Sequence, residues 1–125
     1  MQLHAEPSAA GPVLQRVAPD AIRVDGRDLR RSFILHPGGL LEHWPVSAAS
    51  ALDETALAPL LSLDPEVILL GTGSRQAFPP QAALAACLRR GIGLEAMDNA
   101  AAARTYSVLA GEGRRVVAAF MLSGG

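Results

Sequence analysis

Residues 66–73, EVILLGTG, carry the strongest fold signal in the chain. The run from Val67 to Leu70 is apolar at every position, which is typical of a parallel strand buried on both faces. Gly71 and Gly73 then end the strand, and Pro79-Pro80 predicts the first turn of a helix, where a missing N–H costs nothing. Strand, glycine loop and helix in this order predict an α/β sheet with any ligand site at the carboxyl end of the strand.

The composition limits the class of protein. The chain has 125 residues, enough for one domain with a real core, and its net charge of −1 argues against nucleic-acid binding. It contains no apolar run near the roughly 20 residues of a membrane-spanning helix, so we predict no membrane insertion. Residues 1–16 lack both a period and a signal-peptide pattern. We therefore predict a flexible tail over residues 1–16 and a single cytoplasmic α/β domain over residues 17–125.

The N-terminal half predicts a β-hairpin followed by a helix. Ile22 and Val24 flank a polar residue, the Asp25-Gly26 pair is a tight-turn signal, and a returning strand is predicted from Leu29 to Leu35. Three further features are predicted in this half: a strand over residues 40–46, a helix over residues 50–63, and a kink or division of that helix at Pro59.

The C-terminal half alternates between strand and helix patterns. The predicted elements are a helix over residues 80–90 closed by Gly91, a strand over residues 93–97, an alanine-rich helix capped by Asp98 or Asn99, and a strand over residues 115–122. The buried stripe of the first helix is predicted to contain Ala83, Leu84, Cys87 and Leu88. This alternation predicts a layered sheet with helices packed on it.

The glycine loop has two interpretations. Exposed N–H groups near a helix start attract anions, and Thr72 and Arg75 could complete a small-anion site. Gln76, however, stands where a dinucleotide-binding loop has its third glycine, and no lysine follows as in a P-loop. We favour the interpretation that Gly71 and Gly73 only allow the chain a sharp exit from the sheet.

Arg104, Thr105 and Tyr106 interrupt the alanine-rich helix, and two interpretations of them stay open. Tyr106, the only tyrosine, has an apolar body and a polar tip suited to a pocket or an interface, and Arg104 could face the glycine loop. Alternatively, Tyr106 packs in the core and Arg104 pairs with Glu95 or Asp98.

The sequence predicts no metal site, no cofactor and no catalytic residue. The three histidines, His4, His36 and His43, lack the helical spacing or the cysteine partner that a zinc site uses. Cys87 lies in an apolar pattern and is expected to be an inert core residue. We therefore favour a protein that is not an enzyme.

The motifs together resemble a small bacterial and archaeal domain family of unknown function. Its eukaryotic relatives include the mitochondrial assembly factor three of respiratory complex I and an adipogenesis-associated protein. The resemblance covers residues 17–122 through SFILHPGG, the glycine loop, GIGLEAMD, RTY and EGRR. It implies a three-layer α/β fold with a mixed central sheet. The cysteine and the asparagine that flank RTY in the family are Ala103 and Ser107 here, so no thiol mechanism carries over.

Two functional hypotheses follow. The first is a non-catalytic binding or assembly module, with a protein partner held near the glycine loop and the Arg104 helix. The alternative is a binder of, or enzyme on, a small anionic ligand in the same cleft. The cleft would contain Gly71, Thr72, Gly73, Arg75, Arg104, Thr105 and Tyr106. We expect a monomer or a weak homodimer.

Overall fold

The computed structural model describes residues 11–123, which form two sheets and three helices. The strands are β1 (Leu14–Val17), β2 (Ile22–Val24), β3 (Arg27–Leu29), β4 (Arg31–His36), β5 (Gly39–Leu41), β6 (Val67–Gly71), β7 (Gly93–Met97) and β8 (Val116–Ser123). The helices are α1 (Glu54–Leu61), α2 (Gln81–Arg89) and α3 (Asn99–Gly111).

The larger sheet is mixed and has the strand order β5-β4-β8-β6-β7. Strand β6 pairs in parallel with β7 and β8, while β4 is antiparallel to β5 and β8. All five residues of β6 are buried. The strand predicted from the apolar run is therefore confirmed, and so is the mixed sheet.

The side chains on the two faces of β6 belong to two separate apolar clusters. Ile68 and Leu70 pack with Trp44 and the buried residues of α1 and α2. Val67 and Leu69 point to the opposite face, as alternation along a strand requires, and pack with α3 and the three-stranded sheet. The helices α1 and α2, the mixed sheet, and α3 beside the small sheet form the three predicted layers.

The N-terminal hairpin is confirmed, but its second arm is shorter than predicted. Strands β2 and β3 pair in antiparallel register around the turn at Asp25-Gly26. The chain then leaves this sheet at Arg30, and β4 joins the mixed sheet instead. The start of the domain also differs from the prediction, because β1 begins at Leu14, within the predicted tail. Residues 1–10 of that tail lie outside the described residues.

The strand predicted over residues 40–46 is mostly a loop. Strand β5 ends at Leu41, and His43 has a φ of +65°, which breaks an extended conformation. Trp44 lies in this loop and is buried in the cluster with α1 and α2, where its Nε1–H donates to the Ala56 carbonyl at 2.9 Å.

Helices α2 and α3 begin and end close to the predicted residues, but α1 begins at Glu54, four residues after the predicted start, and Ala49–Ala51 forms a separate 3-10 turn. The side chain of Asp53 caps α1, and Pro59 lies inside this helix without dividing it. On α2, Cys87 is fully buried as predicted, but Leu88 is 77% exposed. The buried stripe follows Ala83, Ala86 and Cys87, whereas Leu88 is five residues after Ala83 and falls on another face. Burial raises the pKa of the Cys87 thiol, which keeps it protonated and unreactive.

Candidate functional site

A buried asparagine holds the glycine loop against the sheet. Asn99 begins α3 and is 4% exposed. Its side-chain Oδ1 accepts from the Gly73 N–H at 3.1 Å, and its Nδ2 donates to the Met121 carbonyl at 3.0 Å. Its backbone N–H also donates to the Gly73 carbonyl at 2.7 Å. Asn99 therefore ties the loop, α3 and β8 together.

The two glycines of the loop meet two different structural needs. A Cβ at Gly71 would collide with Asn99 Oδ1 and lie 2.9 Å from Phe120 Cδ1, so only glycine fits this close approach. Gly73 has a φ of +99°, in the region that favours glycine. These observations agree with the interpretation that the glycines serve the exit from the sheet.

The polar groups of the loop are largely engaged within the protein. The Thr72 N–H donates to the Met97 carbonyl at 2.9 Å, and the Gly73 N–H is taken by Asn99. The Thr72 hydroxyl accepts from the Ala77 N–H at 3.0 Å and lies 2.7 Å from the Arg75 carbonyl. The Arg75 side chain is exposed. An anion would thus find three of the loop N–H groups already bonded, which weakens the case for a phosphate-type nest here.

The three residues of the RTY motif point in three directions, because successive helical positions differ by 100°. Arg104 is exposed, and Thr105 is half-buried with its hydroxyl 3.7 Å from Met97 Sδ. Tyr106 is 2% exposed in the cluster formed by α3, the small sheet and one face of the mixed sheet. Of the two interpretations left open by the sequence, the core position of Tyr106 is the one that the structure shows. The pairing of Arg104 with Glu95 or Asp98, which belonged to the same interpretation, is not found, since no ion pair within residues 11–123 includes Arg104.

The Tyr106 hydroxyl has no hydrogen-bond partner in the described part of the chain. Burial raises its pKa far above the ordinary value, so the phenol stays neutral. A buried hydroxyl without a partner has lost its bonds to water and gained none.

We therefore expect Tyr106→Phe to leave the free energy of unfolding unchanged or to raise it by up to about 1 kcal/mol. Urea titrations of both proteins would measure this difference. Thr105→Val serves as a control that removes a half-buried hydroxyl from the preceding residue. A clear loss of stability in Tyr106→Phe would mean that the hydroxyl is bonded, contrary to this account.

A shallow groove runs between β1 and α3, from the glycine loop to Arg104. It consists of two depressions of about 170 and 370 Å³ that share Val17 and Ala100. The first is lined by Val17, Ala18, Pro19, Gly73, Ser74, Asp98, Asn99 and Ala100. The second is lined by Leu14, Gln15, Arg16, Val17, Ala100, Ala103, Arg104 and Ser107. We call this surface the β1–α3 groove.

The β1–α3 groove is electropositive at one end and has a floor of small side chains. Arg16 and Arg104 are exposed there, and within residues 11–123 neither forms an ion pair. At the other end, the Asp98 carboxylate is engaged as the cap of α3, 2.8 Å from the Ala101 N–H. Of the predicted cleft residues, only Gly73 and Arg104 line this groove, while Gly71, Thr72, Arg75, Thr105 and Tyr106 do not.

Sequence reasoning missed several residues of this groove. Arg16 and Val17 fell at the boundary of the predicted tail, where no periodic signal marked a strand. The sequence pattern indicates Asn99 only as an alternative cap of α3, whereas its side chain bonds to the glycine loop and to β8. A signal for the floor did exist, because Ala100, Ala103 and Ser107 recur at helical spacing with small side chains.

A second cavity of about 270 Å³ lies at the opposite end of the sheet, beside Arg114 and Arg115. Arg114 Nε lies 3.3 Å from Glu66 Oε1, and Arg115 Nε donates to the Asp64 carbonyl at 3.0 Å. His36 also lines this cavity, and burial lowers its pKa, so it is neutral at physiological pH. Both arginines have structural partners, whereas Arg104 in the β1–α3 groove has no ion pair among the residues that the structure describes.

Membrane-spanning helices and metal-binding clusters are both absent from residues 11–123. No helix within residues 11–123 is long and apolar enough to cross a membrane. The same residues contain no cluster of three or more histidine, cysteine, aspartate or glutamate side chains that could hold a metal ion.

Solved structures and a human relative resemble this chain over most of its length. An NMR structure of a Xanthomonas campestris protein is 51% identical, with a TM-score of 0.86, over 99% of this chain and 94% of the other. The NMR structure of a Bordetella pertussis protein described as a Mth938-like domain is 30% identical, with a TM-score of 0.81, over 99% and 94%. The human protein named NADH dehydrogenase (ubiquinone) 1 alpha subcomplex assembly factor 3 is 32% identical over 87% of this chain.

The human relative is longer than this chain, which spans 65% of its length, just under two thirds. A family model described as "Protein of unknown function (DUF498/DUF598)" matches residues 14–121, from the first residue of β1 to within β8. The match therefore includes both walls of the β1–α3 groove and the glycine loop. The chain belongs to this DUF498/DUF598 family.

Proposed function

We propose that this protein is a binding module that holds a protein partner in the β1–α3 groove and assists the assembly of a larger complex. The observation that carries the proposal is the groove itself, which is long, shallow and lined by two arginines without ion-pair partners within residues 11–123. Small-molecule sites are usually concave pockets with convergent polar groups, and an open groove fits a protein segment better.

The name of the human relative suggests the class of partner. That relative is named as an assembly factor for an NADH dehydrogenase, and it is similar to this chain over 87% of the chain. By this similarity, the partner we propose is a subunit of an NADH dehydrogenase that is being assembled. Because this chain spans 65% of the length of the human protein, we propose that the two share the binding of a partner during assembly and no other activity of the longer protein.

One observation favours a second candidate, the binding of a small anionic ligand in the same groove. The Arg104 guanidinium, which forms no ion pair within residues 11–123, can hold a carboxylate or a phosphate through two parallel hydrogen bonds, a geometry that lysine cannot reproduce. Arg104→Lys is then expected to weaken such a ligand but to leave thermal stability unchanged. A thermal-shift screen of small carboxylates and phosphates on both proteins would test this candidate, and the absence of any shift with the original protein would reject it.

The main proposal predicts that reversing the charge of Arg104 weakens partner binding. Arg104→Glu is expected to lower the recovery of NADH dehydrogenase subunits with a tagged protein by about tenfold, equivalent to roughly 1.4 kcal/mol. Quantitative mass spectrometry of material co-purified from the native host would measure it. The matched control is Arg89→Glu, an exposed arginine on α2, which packs on the other side of the mixed sheet.

The outcomes separate the groove from the partner. Equal recovery with Arg104→Glu and the original protein would show that the groove is not the binding surface. Recovery of no NADH dehydrogenase subunit with the original protein would reject the proposed partner. Native-gel activity of NADH dehydrogenase in a strain lacking the gene, with and without each variant, would show whether binding serves assembly.

A further inference from the structure

The outer edge of β1 has no strand beside it in the described part of the chain, and it faces the groove. Strand β1 stands at the end of the three-stranded sheet and pairs only with β2. The two depressions of the groove lie between this edge and α3 and share Val17. An unpaired edge presents N–H and C=O groups that can accept a further strand.

The register of β1 identifies the backbone groups that are available. The Ala18 N–H donates to the Ala21 carbonyl at 2.8 Å across the turn to β2. Antiparallel pairing alternates residue by residue, so Val17, which lies opposite Ile22, turns its N–H and C=O away from β2. These two groups face the groove, where they can pair with an extended chain.

The groove also selects for the chemistry of that chain. Strands in a sheet lie about 4.8 Å apart, and the small side chains of Ala100, Ala103 and Ser107 on α3 leave room beside β1. The charged groups that line the groove are Arg16, Arg104 and Asp98, and the last of these is engaged as a helix cap. The two arginines are complementary to carboxylates in an incoming segment.

We infer that the partner adds an extended, acidic segment as a fourth strand to the outer edge of β1. This inference rests on the proposed function, because it specifies how the β1–α3 groove holds its partner. Hydrogen bonds from the Val17 backbone give the segment its extended shape, and Arg16 and Arg104 select its carboxylates.

The first test uses synthetic peptides as probes. Acetyl-EVEVEV-amide is expected to bind with a Kd on the order of 1 mM, measured by amide chemical shifts that move along β1 and α3. Its lysine analogue, acetyl-KVKVKV-amide, is expected not to saturate. Arg16→Ala and Arg104→Ala should each weaken the acidic peptide at least about threefold, whereas Arg89→Ala should not. The inference would be overturned if the acidic peptide does not saturate the protein at about ten times the expected Kd, or if the lysine analogue binds equally well.

The second test isolates the backbone of β1. Val17→Pro removes an outward N–H and no hydrogen bond to β2, which is the position where an edge strand tolerates proline. We expect a folded variant that binds the acidic peptide at least about tenfold more weakly. An acidic peptide methylated on its valine nitrogens tests the same bonds on the unchanged protein, in case the proline variant does not fold. Undiminished binding in these tests would overturn strand addition and still leave the groove to be judged by Arg104→Glu.

Discussion

Leu69→Asp is expected to prevent folding. Leu69 is the third of five residues in β6, is 1% exposed, and packs in the cluster beneath α3. Strands β7 and β8 flank it in the sheet, and its side chain points into the apolar cluster with α3 and the small sheet, so an introduced carboxylate there is buried among apolar groups. Burial of an unpaired charge costs several kcal/mol after relaxation, a large part of the 5–15 kcal/mol that stabilises a typical domain.

Circular dichroism and thermal melting would measure this result, and the chain offers a matched control. Leu88→Asp makes the same substitution on α2, where the leucine is 77% exposed, and should cost at most about 1 kcal/mol. A Leu69→Asp protein that melts cooperatively near the original temperature would show that β6 is not the buried strand described here.

The features that were predictable from the sequence are those that local pattern determines. The apolar side chains of β6 point to both faces of the strand, and both faces are buried only between two layers. The strand and its burial therefore follow from residues 67–70 alone. The alternation of strand and helix patterns after Gly71 similarly predicts the order of the elements in the C-terminal half. The sequence narrows the cap of α3 to Asp98 or Asn99, of which Asp98 is the cap, and Gly91 is the expected end of α2, where it has a positive φ.

The features that were not predictable depend on contacts between distant parts of the chain. The sequence LQRV of β1 has its two apolar residues three positions apart, which is not the alternation expected of a strand. A bulge between Leu14 and Arg16 shifts the register, and α3 covers one side of the strand. The division of the hairpin arm at Arg30 likewise depends on β8, which recruits β4 into the mixed sheet. The residues of β1 and β4 alone indicate neither α3 nor β8 as a packing partner.

The candidate site shows the same limit. The sequence placed Gly73 and Arg104 in one cleft with five other residues, and the structure brings only these two to the β1–α3 groove. Adjacent positions in RTY suggested a common surface, but the helix turns Tyr106 into the core. The other wall of the groove comes from β1, about 90 residues earlier in the chain.

Asn99→Asp is expected to make stability depend strongly on pH. The substitution keeps the shape of the side chain but replaces the Nδ2 donor with an oxygen, 3.0 Å from the Met121 carbonyl. When protonated, the introduced carboxyl can still donate to that carbonyl and accept from the Gly73 N–H. When ionised, it places a buried negative charge against a carbonyl oxygen, which costs several kcal/mol.

The sign of the pH effect follows from the folded-state pKa of the introduced group. Burial at 4% exposure and the facing carbonyl raise this pKa. The N-terminus of α3 lowers it, but its interaction with a carboxylate, about 0.3–2 kcal/mol, is smaller than the cost of burying the charge. A raised pKa means that the variant is nearly as stable as the original protein below about pH 4, the unfolded value. Its stability then falls as the pH rises, by up to about 1.4 kcal/mol per pH unit, until the folded-state pKa is passed.

Urea titrations of Asn99→Asp and the original protein from about pH 4 to pH 8 would measure the difference in unfolding free energy. We expect a difference below about 1 kcal/mol at the acid end and of about 3 kcal/mol or more at neutral pH. Asn99→Ala, which cannot ionise, should lose stability by an amount that does not change with pH, because it leaves the Met121 carbonyl and the Gly73 N–H unpaired at every pH. If the two variants show the same pH dependence, Asn99 does not hold the loop through the bonds described.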